Sequence, residues 1–415
     1  MRSYFSDTFL KLFVYLTMAA LTVLTMSCEE EEGPMMPEMP EPAGNSMSYD
    51  LMSVSDPSIS GTATFTELDD GSTRVILDLI GTTGGTHPAH IHMNTAAEGG
   101  DIAVSLTPVD GSTGMSETII ESLDDGTAIS YEQLLDYNGY INVHLSSSEL
   151  ATLIAQGDIG QNALTGESKS YSLMEKDVEG IMGSVTFAQR MNGNTLATIM
   201  LEGTPDGGMH PAHIHMNSAA EGGGIAVSFN PIDGNSGMSM TNISMTDGGM
   251  ELSYEDILNY NGYVNVHLSM DDLATIVAQG DIGANELTGT STTYSLMEKD
   301  IEGVMGTVTF AERKSGFTLA TIMLEGTPMN GMHPTHIHDN SAEEGGPIAV
   351  TFNPVDRNTG MSMTTIRSKD GEEGMAITYD EIIGYDGYVN VHLSADELAT
   401  LVAQGNIGSN ADPIE

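Results

Sequence analysis

A four-histidine pattern that occurs three times constrains this chain more than any other feature. The motif His-Pro-x-His-Ile-His stands at 87–92, 210–215 and 333–338, and each copy is followed by a Tyr-x-Asn-Val-His phrase that ends at His144, His267 or His392. These three sets contain all 12 histidines of the 415 residues. The motif recurs every 123 residues. A period of this length exceeds that of solenoid repeats, so each copy is expected to form a domain with its own core.

Each copy reads as mostly β-strand, because short β-branched or alternating segments are bounded by Gly, Asn, Asp or Pro. Two short helices per copy are also predicted from the capping-box pattern, Ser-x-x-acid. In the second copy Ser253 with Asp256 begins the first helix, and Ser269 with Asp272 begins the second. The second helix has counterparts at Ser146 with Glu149 and at Ser394 with Glu397. The copies follow one another without a low-complexity linker, which predicts close packing.

The N-terminus reads as an export signal followed by a lipid attachment site. Residues 1–27 combine positive charge with a short apolar core, and Cys28 directly follows. This arrangement resembles the lipobox of a bacterial lipoprotein. The acidic run Glu29–Glu32 resembles the surface-export signal of Bacteroidetes-type lipoproteins, which implies an exported chain anchored by lipid at the outer membrane or cell surface. The predicted divisions are a signal at 1–27, a tether at 28–46, and domains at 47–166, 167–289 and 290–415.

Three shared motifs resemble those of the CHRD domain, which was first described in chordin and is common in bacterial secreted proteins. They are His-Ile-His, the following Gly-Gly-x-Ile-Ala-Val, and the later Gly-Tyr-x-Asn-Val-His, and they cover essentially everything after the tether. The resemblance implies Greek-key β-sandwich domains similar in outline to copper/zinc superoxide dismutase. The family usually closes with a Gly-Glu-Ile-Arg-Gly strand. Here Gly-Asp-Ile-Gly or Gly-Asn-Ile-Gly stands at 157–160, 280–283 and 405–408, after the second predicted helix.

Composition excludes some functions. A net charge of −47, from 59 acidic and 12 basic residues, argues against nucleic-acid binding and for a solvated surface. The single cysteine excludes a Cys-based zinc site. The 29 methionines are interpreted mostly as pliable apolar filler, although thioethers also bind Cu(I).

Strand alternation predicts where the histidines lie. His90 and His92 share one face of a strand, and His144 shares the polar face of another, so the three converge if the strands are neighbours. His87, on the turn set by Pro88, is expected nearest the opening. Three or four neutral imidazoles suit Zn²⁺ or Cu²⁺, one ion per domain. The candidate ligands are His87, His90, His92, His144, His210, His213, His215, His267, His333, His336, His338 and His392.

Two other interpretations of the histidines stay open. One is a hydrogen-bonded network that holds a loop, with Asn142 and Tyr140 as partners. In the other, His87 caps the turn and only the remaining three histidines interact. No Ser/His/Asp arrangement or phosphate-binding loop stands out, so an enzyme is the less favoured class.

The sequence therefore predicts a surface-anchored binding module. Its membrane partner is the lipid on Cys28, and its other partner is expected to be an extracellular protein or polysaccharide. The alternatives are a copper-dependent oxidoreductase on a dismutase-like scaffold and a structural spacer or adhesin without metal.

Overall fold

The computed structural model describes residues 40–205, 207–328, 332–372 and 374–414. The predicted export signal, Cys28 and most of the predicted tether lie outside these ranges. Residues Pro42–Glu415 form one unit. Its first strand begins at Pro42, so the last residues of the predicted tether, 42–46, belong to a sheet. Among the described residues, no helix combines the length and apolar character needed to cross a membrane.

The first copy is a closed antiparallel barrel with strand order β1-β2-β3-β6-β5-β4-β7-β8. The crossing of β3 to β6 makes the order a Greek key. Its elements are β1 (Pro42–Ser53), β2 (Ser60–Leu68), β3 (Thr73–Ile80), β4 (Thr86–Met93), β5 (Ile102–Asp110), β6 (Met115–Ile120), α1 (Tyr131–Leu135), β7 (Asn138–Ser146) and β8 (Glu149–Gly160).

The second copy has the same strand order, but two of its strands are each divided in two. The divisions fall at Pro211 and at residues 229–231. Its elements are β9 (Leu164–Glu175), β10 (Met182–Arg190), β11 (Thr195–Glu202), β12 (Met209–His210), β13 (Ala212–Met216), β14 (Ile225–Ser228), β15 (Ile232–Asp233), β16 (Met238–Ile243), α2 (Tyr254–Leu258), β17 (Asn261–Ser269) and β18 (Asp272–Gly283).

The third copy repeats this order in an eight-stranded sheet. Its elements are β19 (Leu287–Glu298), β20 (Met305–Arg313), β21 (Thr318–Glu325), β22 (His333–Asp339), β23 (Ile348–Val355), β24 (Met361–Ile366), α3 (Tyr379–Ile383), β25 (Asp386–His392) and β26 (Leu401–Gly408). The predicted all-β fold of three tandem Greek-key domains is confirmed.

Alternating side chains build one core inside each copy. Along β11, every second residue is buried, so Ala197, Ile199 and Leu201 face inward while their neighbours face out. Phe187 of β10 is completely buried in the same cluster. Truncating such a ring to Ala costs about 3–5 kcal/mol, because the cavity does not collapse. The inward faces therefore hold each copy together and leave the outward faces free for other uses.

Only the first of the two predicted helices forms. In α2, the Ser253 side chain accepts from the Asp256 backbone N–H, and the Asp256 side chain accepts from that of Ser253. Ser130 with Gln133 and Thr378 with Glu381 form the same box in α1 and α3. Each helix has five residues.

The prediction of a second capped helix is wrong. Ser146 pairs with Glu149 and Ser269 with Asp272 across tight β-hairpin turns, and the third copy has turns at residues 394–399. The local Ser-x-x-acid pattern serves a turn as well as a helix, and an isolated short helix is marginal. Strand pairing is more stable than a second helix at this position, because it also buries Ile154 and Ala155. The Gly-Asp-Ile-Gly segments therefore end long strands, β8 and β18, and follow no added helix.

Buried ion pairs join consecutive copies. Only three residues separate β8 from β9, and β18 from β19. Arg190, with no exposed side-chain surface, donates from Nη1 to Asp158 of the first copy at 2.7 Å. Arg313 does the same to Asp281 of the second copy at 2.8 Å. Each arginine also donates to the carbonyl oxygen of Asn162 or Asn285. The copies are therefore in direct contact.

The remaining ion pairs between described residues also lie at a junction. Glu286, in the second connection, is shared by Lys169 and Lys314. Arg367 of the third copy donates two hydrogen bonds to the Glu221 carboxylate of the second, from Nε at 2.7 Å and from Nη2 at 2.8 Å. In a chain with only 12 basic residues, five of the described ones are used where copies meet.

Candidate metal centre

Adjacent strands bring three histidines of each copy together. In the first copy β4 lies antiparallel to β7, with His90 opposite Asn142 and His92 opposite Tyr140. His144 comes two residues after Asn142, so it lies diagonally across from His90 on the same face. The predicted convergence of His90, His92 and His144 is confirmed.

One nitrogen from each ring points into the shared space. The nitrogen atoms of a triad lie within 4.8 Å of one another. In the first copy His90 Nδ1 is 3.1 Å from His144 Nε2. Tetrahedral ligands at about 2.0–2.1 Å from Zn²⁺ stand about 3.3 Å apart, so the spacing suits one ion with little movement.

Backbone carbonyls determine which nitrogen of the His92 and His144 rings carries the proton and which has a lone pair for a metal. His92 Nδ1 lies 2.9 Å from the Gly100 oxygen, and His144 Nδ1 lies 2.6 Å from the Leu150 oxygen. A carbonyl only accepts, so both Nδ1 atoms carry the proton and both Nε2 atoms present a lone pair to the triad. This outer hydrogen bond is characteristic of metal-bound histidine.

The second and third copies repeat the arrangement. His215 and His338 pair with the oxygens of Gly223 and Gly346, at 3.0 Å each. His267 and His392 pair with those of Leu273 and Leu398, at 2.7 and 2.6 Å. The inward nitrogens His213 Nδ1, His215 Nε2, His336 Nδ1, His338 Nε2 and His392 Nε2 are buried without a hydrogen-bond partner in the described structure. Buried polar atoms are nearly always paired, so these five atoms could accept a ligand; both ring nitrogens of His210, outside the triad, are unpaired as well.

The surroundings disfavour the protonated form of at least one histidine in each triad. Burial, and then the charge of neighbouring histidines, lowers the pKa of His90 and His213, and the same causes lower that of His336 to about 4. Tyr140 stacks on His92 with ring centroids 5.0 Å apart, and Tyr263 and Tyr388 stack equally on His215 and His338. Neutral imidazole is the form that binds a metal.

The first histidine of each motif does not join the triad. His87, His210 and His333 are only 4, 1 and 0 % exposed, so the prediction that they lie nearest the opening is wrong. His87 Nδ1 lies 2.8 Å from the Leu145 oxygen, and His333 Nδ1 lies 2.9 Å from the Leu393 oxygen. The rings of His87 and His333 are held under the end of the neighbouring strand, whereas both ring nitrogens of His210 are buried without a hydrogen-bond partner in the described structure. The interpretation in which this histidine serves the turn and the other three interact therefore fits the geometry.

Asn142 also has a different role from the one considered. Its Oδ1 accepts a 2.7 Å hydrogen bond from Gln156, and the matching residues Asn265 and Asn390 pair with Gln279 and Gln404. These amides connect β7, β17 and β25 to the next strand. No described hydrogen bond joins Asn142 to a histidine, although His90 and His144 of the first copy are hydrogen-bonded to each other.

Sequence reasoning missed the residues that orient the rings. Asn94 adopts a left-handed φ of 67°, and its side chain donates to the Gly99 oxygen at 3.0 Å. A Cβ on Gly100 would stand 2.1 Å from the Met93 oxygen, so only glycine fits there. The Gly-Gly pair of the motif was the available signal, since it closes the loop whose carbonyl holds His92.

The site offers three neutral nitrogen donors and no thiolate or carboxylate ligand in any of the three described groups. Such a set could hold Zn²⁺ or Cu²⁺ and leave one coordination position open. Comparison of the chain with protein-family models, with curated proteins and with solved structures finds no match.

Proposed function

We propose that this chain is a surface lipoprotein whose three CHRD-like domains each bind one Zn²⁺ or Cu²⁺ ion on a histidine triad. The observation that carries the proposal is the set of buried, unpartnered ring nitrogens that face one another in the second and third copies. Imidazoles held by carbonyls at Nδ1 lose little freedom when they bind a metal. A purely structural use of the triad would leave these nitrogens without a partner.

The proposed role is binding rather than turnover. The net charge of −47 attracts cations towards the triads and repels anionic substrates such as superoxide. The open fourth position on each metal could accept a donor from an extracellular protein or polysaccharide. The resemblance to the CHRD domain supports an exported binding module, and Cys28 supports attachment through lipid.

Metal stoichiometry tests the proposal. Full-length protein purified without an affinity tag is expected to bind three equivalents of Zn²⁺ or Cu²⁺, and His213→Ala should lower the number to two. His210→Gln is the matched control: it changes a histidine of the same motif outside the triad, so three equivalents should remain. The melting temperature of each variant shows that the second copy is folded.

Each other outcome has a clear meaning. Three equivalents in His213→Ala would mean that the triad is not the site. Protein that takes up no Zn²⁺ or Cu²⁺ would contradict the proposal in favour of a spacer. Metal-loaded protein that consumes superoxide catalytically would replace it with the copper-dependent oxidoreductase.

Attachment is tested separately. Cys28→Ala should move the chain from the membrane fraction to the soluble fraction, because a single lipid-bearing residue carries the proposed anchor. Fractionation unchanged by this substitution would contradict the lipoprotein assignment and leave metal binding untouched.

A further inference from the structure

Every described methionine lies on the surface. All 22 of them have exposed side chains, from 38 % at Met238 and Met361 to 69 % at Met270, and none belongs to a hydrophobic core. The expectation that they fill cores is therefore wrong. The cores are built from Ile, Leu, Val, Phe, Tyr and Ala instead. A methionine outside the cores with 38–69 % of its surface exposed contributes little to core packing, so another property must account for its use here.

Many of these methionines cluster on two outer sheet surfaces. On β10, β11 and β16 the outward residues include Met182, Met200, Met238 and Met240, and Met200 pairs directly with Met238 across the strands. On β20, β21 and β24 the equivalent set is Met305, Met323, Met361 and Met363, with Met323 opposite Met361. We call these two sets the methionine faces.

The first copy shows that the fold does not require methionine at these positions. Its matching strands place Ser60 at the register position of Met182, Asp78 at that of Met200, and Glu117 at that of Met240. Only Met115, the counterpart of Met238, is kept. The positions are solvent positions, where a polar side chain serves the sheet equally well. The second and third copies nevertheless carry an oxidisable sulfur there.

We propose that the surface methionines are a sacrificial layer that consumes hydroperoxides, with hydrogen peroxide as the simplest member. The thioether sulfur attacks one peroxide oxygen, the O–O bond breaks, an S–O bond forms, and water leaves. Sulfur loses two electrons and the peroxide gains two, so no further reductant or oxidant is needed. The product, methionine sulfoxide, is polar, and its oxygen can point into water because each side chain is exposed.

The rest of the chain fits this chemistry. There is no Trp, and Cys28 is the only cysteine, so methionine is the principal two-electron oxidation target. Sulfoxide in a core disrupts packing, but these cores contain no methionine. Hydrogen peroxide is uncharged, so the strongly anionic surface does not repel it.

The test is exhaustive oxidation of the full-length protein with hydrogen peroxide in the presence of a chelator. Peptide mass mapping should show a gain of about 16 Da at each of the described methionines. Their rates should be within about two-fold of those in the urea-unfolded chain, because 38–69 % of each methionine is already exposed in the folded chain. The fully oxidised protein should melt within about 3 °C of the untreated protein. Methionines that react ten-fold more slowly when folded, or a chain that unfolds on oxidation, would overturn the proposal.

Two variants sharpen the result. Met182→Ser, Met200→Asp and Met240→Glu together install the residues of the first copy, and should keep the melting temperature while removing three oxidation events. Leu173→Met, at a position with 0 % exposure, should react at least about ten-fold more slowly than the surface methionines and should destabilise when oxidised. Stoichiometric binding of Cu(I) that is lost in the triple variant would instead identify the faces as soft-metal sites and overturn the assignment.

Discussion

At the scale of the residue, a backbone carbonyl decides what a histidine can do. His92 and His144 each give their Nδ1 proton to a carbonyl oxygen, so their Nε2 lone pairs face the centre of the triad. His87 lies in the same motif, but its Nδ1 is held against Leu145 under the strand end. The difference between a proposed ligand and a structural ring is therefore which side of the strand each ring occupies. Alternation along the chain assigns it for His90 and His92.

The pKa shifts of the triads predict how stability depends on pH. Burial and neighbouring histidines make the folded pKa of His336 about 4, below its ordinary value of 6.5, and His90 and His213 shift in the same direction. Asp370, which raises the pKa of His336, opposes the shift without reversing it. As pH falls below about 6.5, the unfolded chain takes up protons first, so the free energy of unfolding decreases until the folded rings also titrate.

Urea unfolding of metal-free protein checks this prediction. The midpoint should be lower at about pH 5 than at about pH 7.5, before most carboxylates titrate. Replacing His336 and His392 by Gln should remove part of that difference, because two rings whose pKa is lowered in the folded chain no longer titrate. Equal pH dependence in wild type and variant would contradict the assignment of these pKa shifts.

At the scale of the element, the loop between β13 and β14 orients one proposed metal ligand, His215. Asn217, with a left-handed φ of 68°, closes the loop, and the Gly223 oxygen receives the Nδ1 proton of His215. A Cβ on Gly223 would stand 2.0 Å from the Met216 oxygen. The loop would have to move, and the carbonyl would move with it.

Gly223→Ala should therefore weaken Zn²⁺ binding at the second triad by about 10–100-fold, the usual cost of losing an outer hydrogen bond to a metal-bound histidine. Gly248→Ala is the control, because its new Cβ would approach no atom closer than 3.7 Å. Isothermal titration of both variants gives the comparison. Equal affinity for the second site would mean that the loop does not orient His215.

Local patterns predicted the strands and first helices, but the second helix required information the sequence does not carry locally. Ser253 with Asp256 and Ser269 with Asp272 follow the same Ser-x-x-acid pattern, yet one opens a helix and the other closes a hairpin. The choice depends on whether a neighbouring strand is in register. The burial of His87 and the exposure of Met200 likewise follow from tertiary packing. Alternation placed the triad histidines on the polar faces of two strands, and their convergence also required β4 and β7 to be neighbours, which the structure shows.

At the scale of the whole molecule, an arginine–aspartate pair joins each copy to the next. The first copy lacks the arginine, and the third copy lacks the aspartate. Arg190 and Arg313 occupy the last position of β10 and β20, and the first copy has Leu68 there. Their partners Asp158 and Asp281 bind the backbone N–H of Ala96 and Ala219, and in the third copy Asn406 makes that bond to Ala342. At the two ends of the array, where no arginine–aspartate pair forms, the corresponding residues Leu68 and Asn406 are uncharged.

Substitutions taken from the chain itself test this junction. Arg313→Leu should destabilise by about 3 kcal/mol or more, because Asp281 loses its charge partner while it stays largely buried. Adding Asp281→Asn should recover part of the loss, with a coupling energy of about 1 kcal/mol or more. The rate of proteolysis within residues 284–286 measures opening of the junction. Strictly additive effects would contradict the pairing.

The middle copy alone carries both residue types of the junction pair, Arg190 towards the first copy and Asp281 towards the third. Deleting the middle copy would place Asp158 opposite Arg313, which are the same two residue types in the same register. Inserting a second middle copy would add one more junction with the same arginine–aspartate pair. The first and third copies can therefore stand only at the ends of the array, whereas the middle copy can be repeated or removed. The number of histidine triads can thus change by whole units without a new interface having to arise.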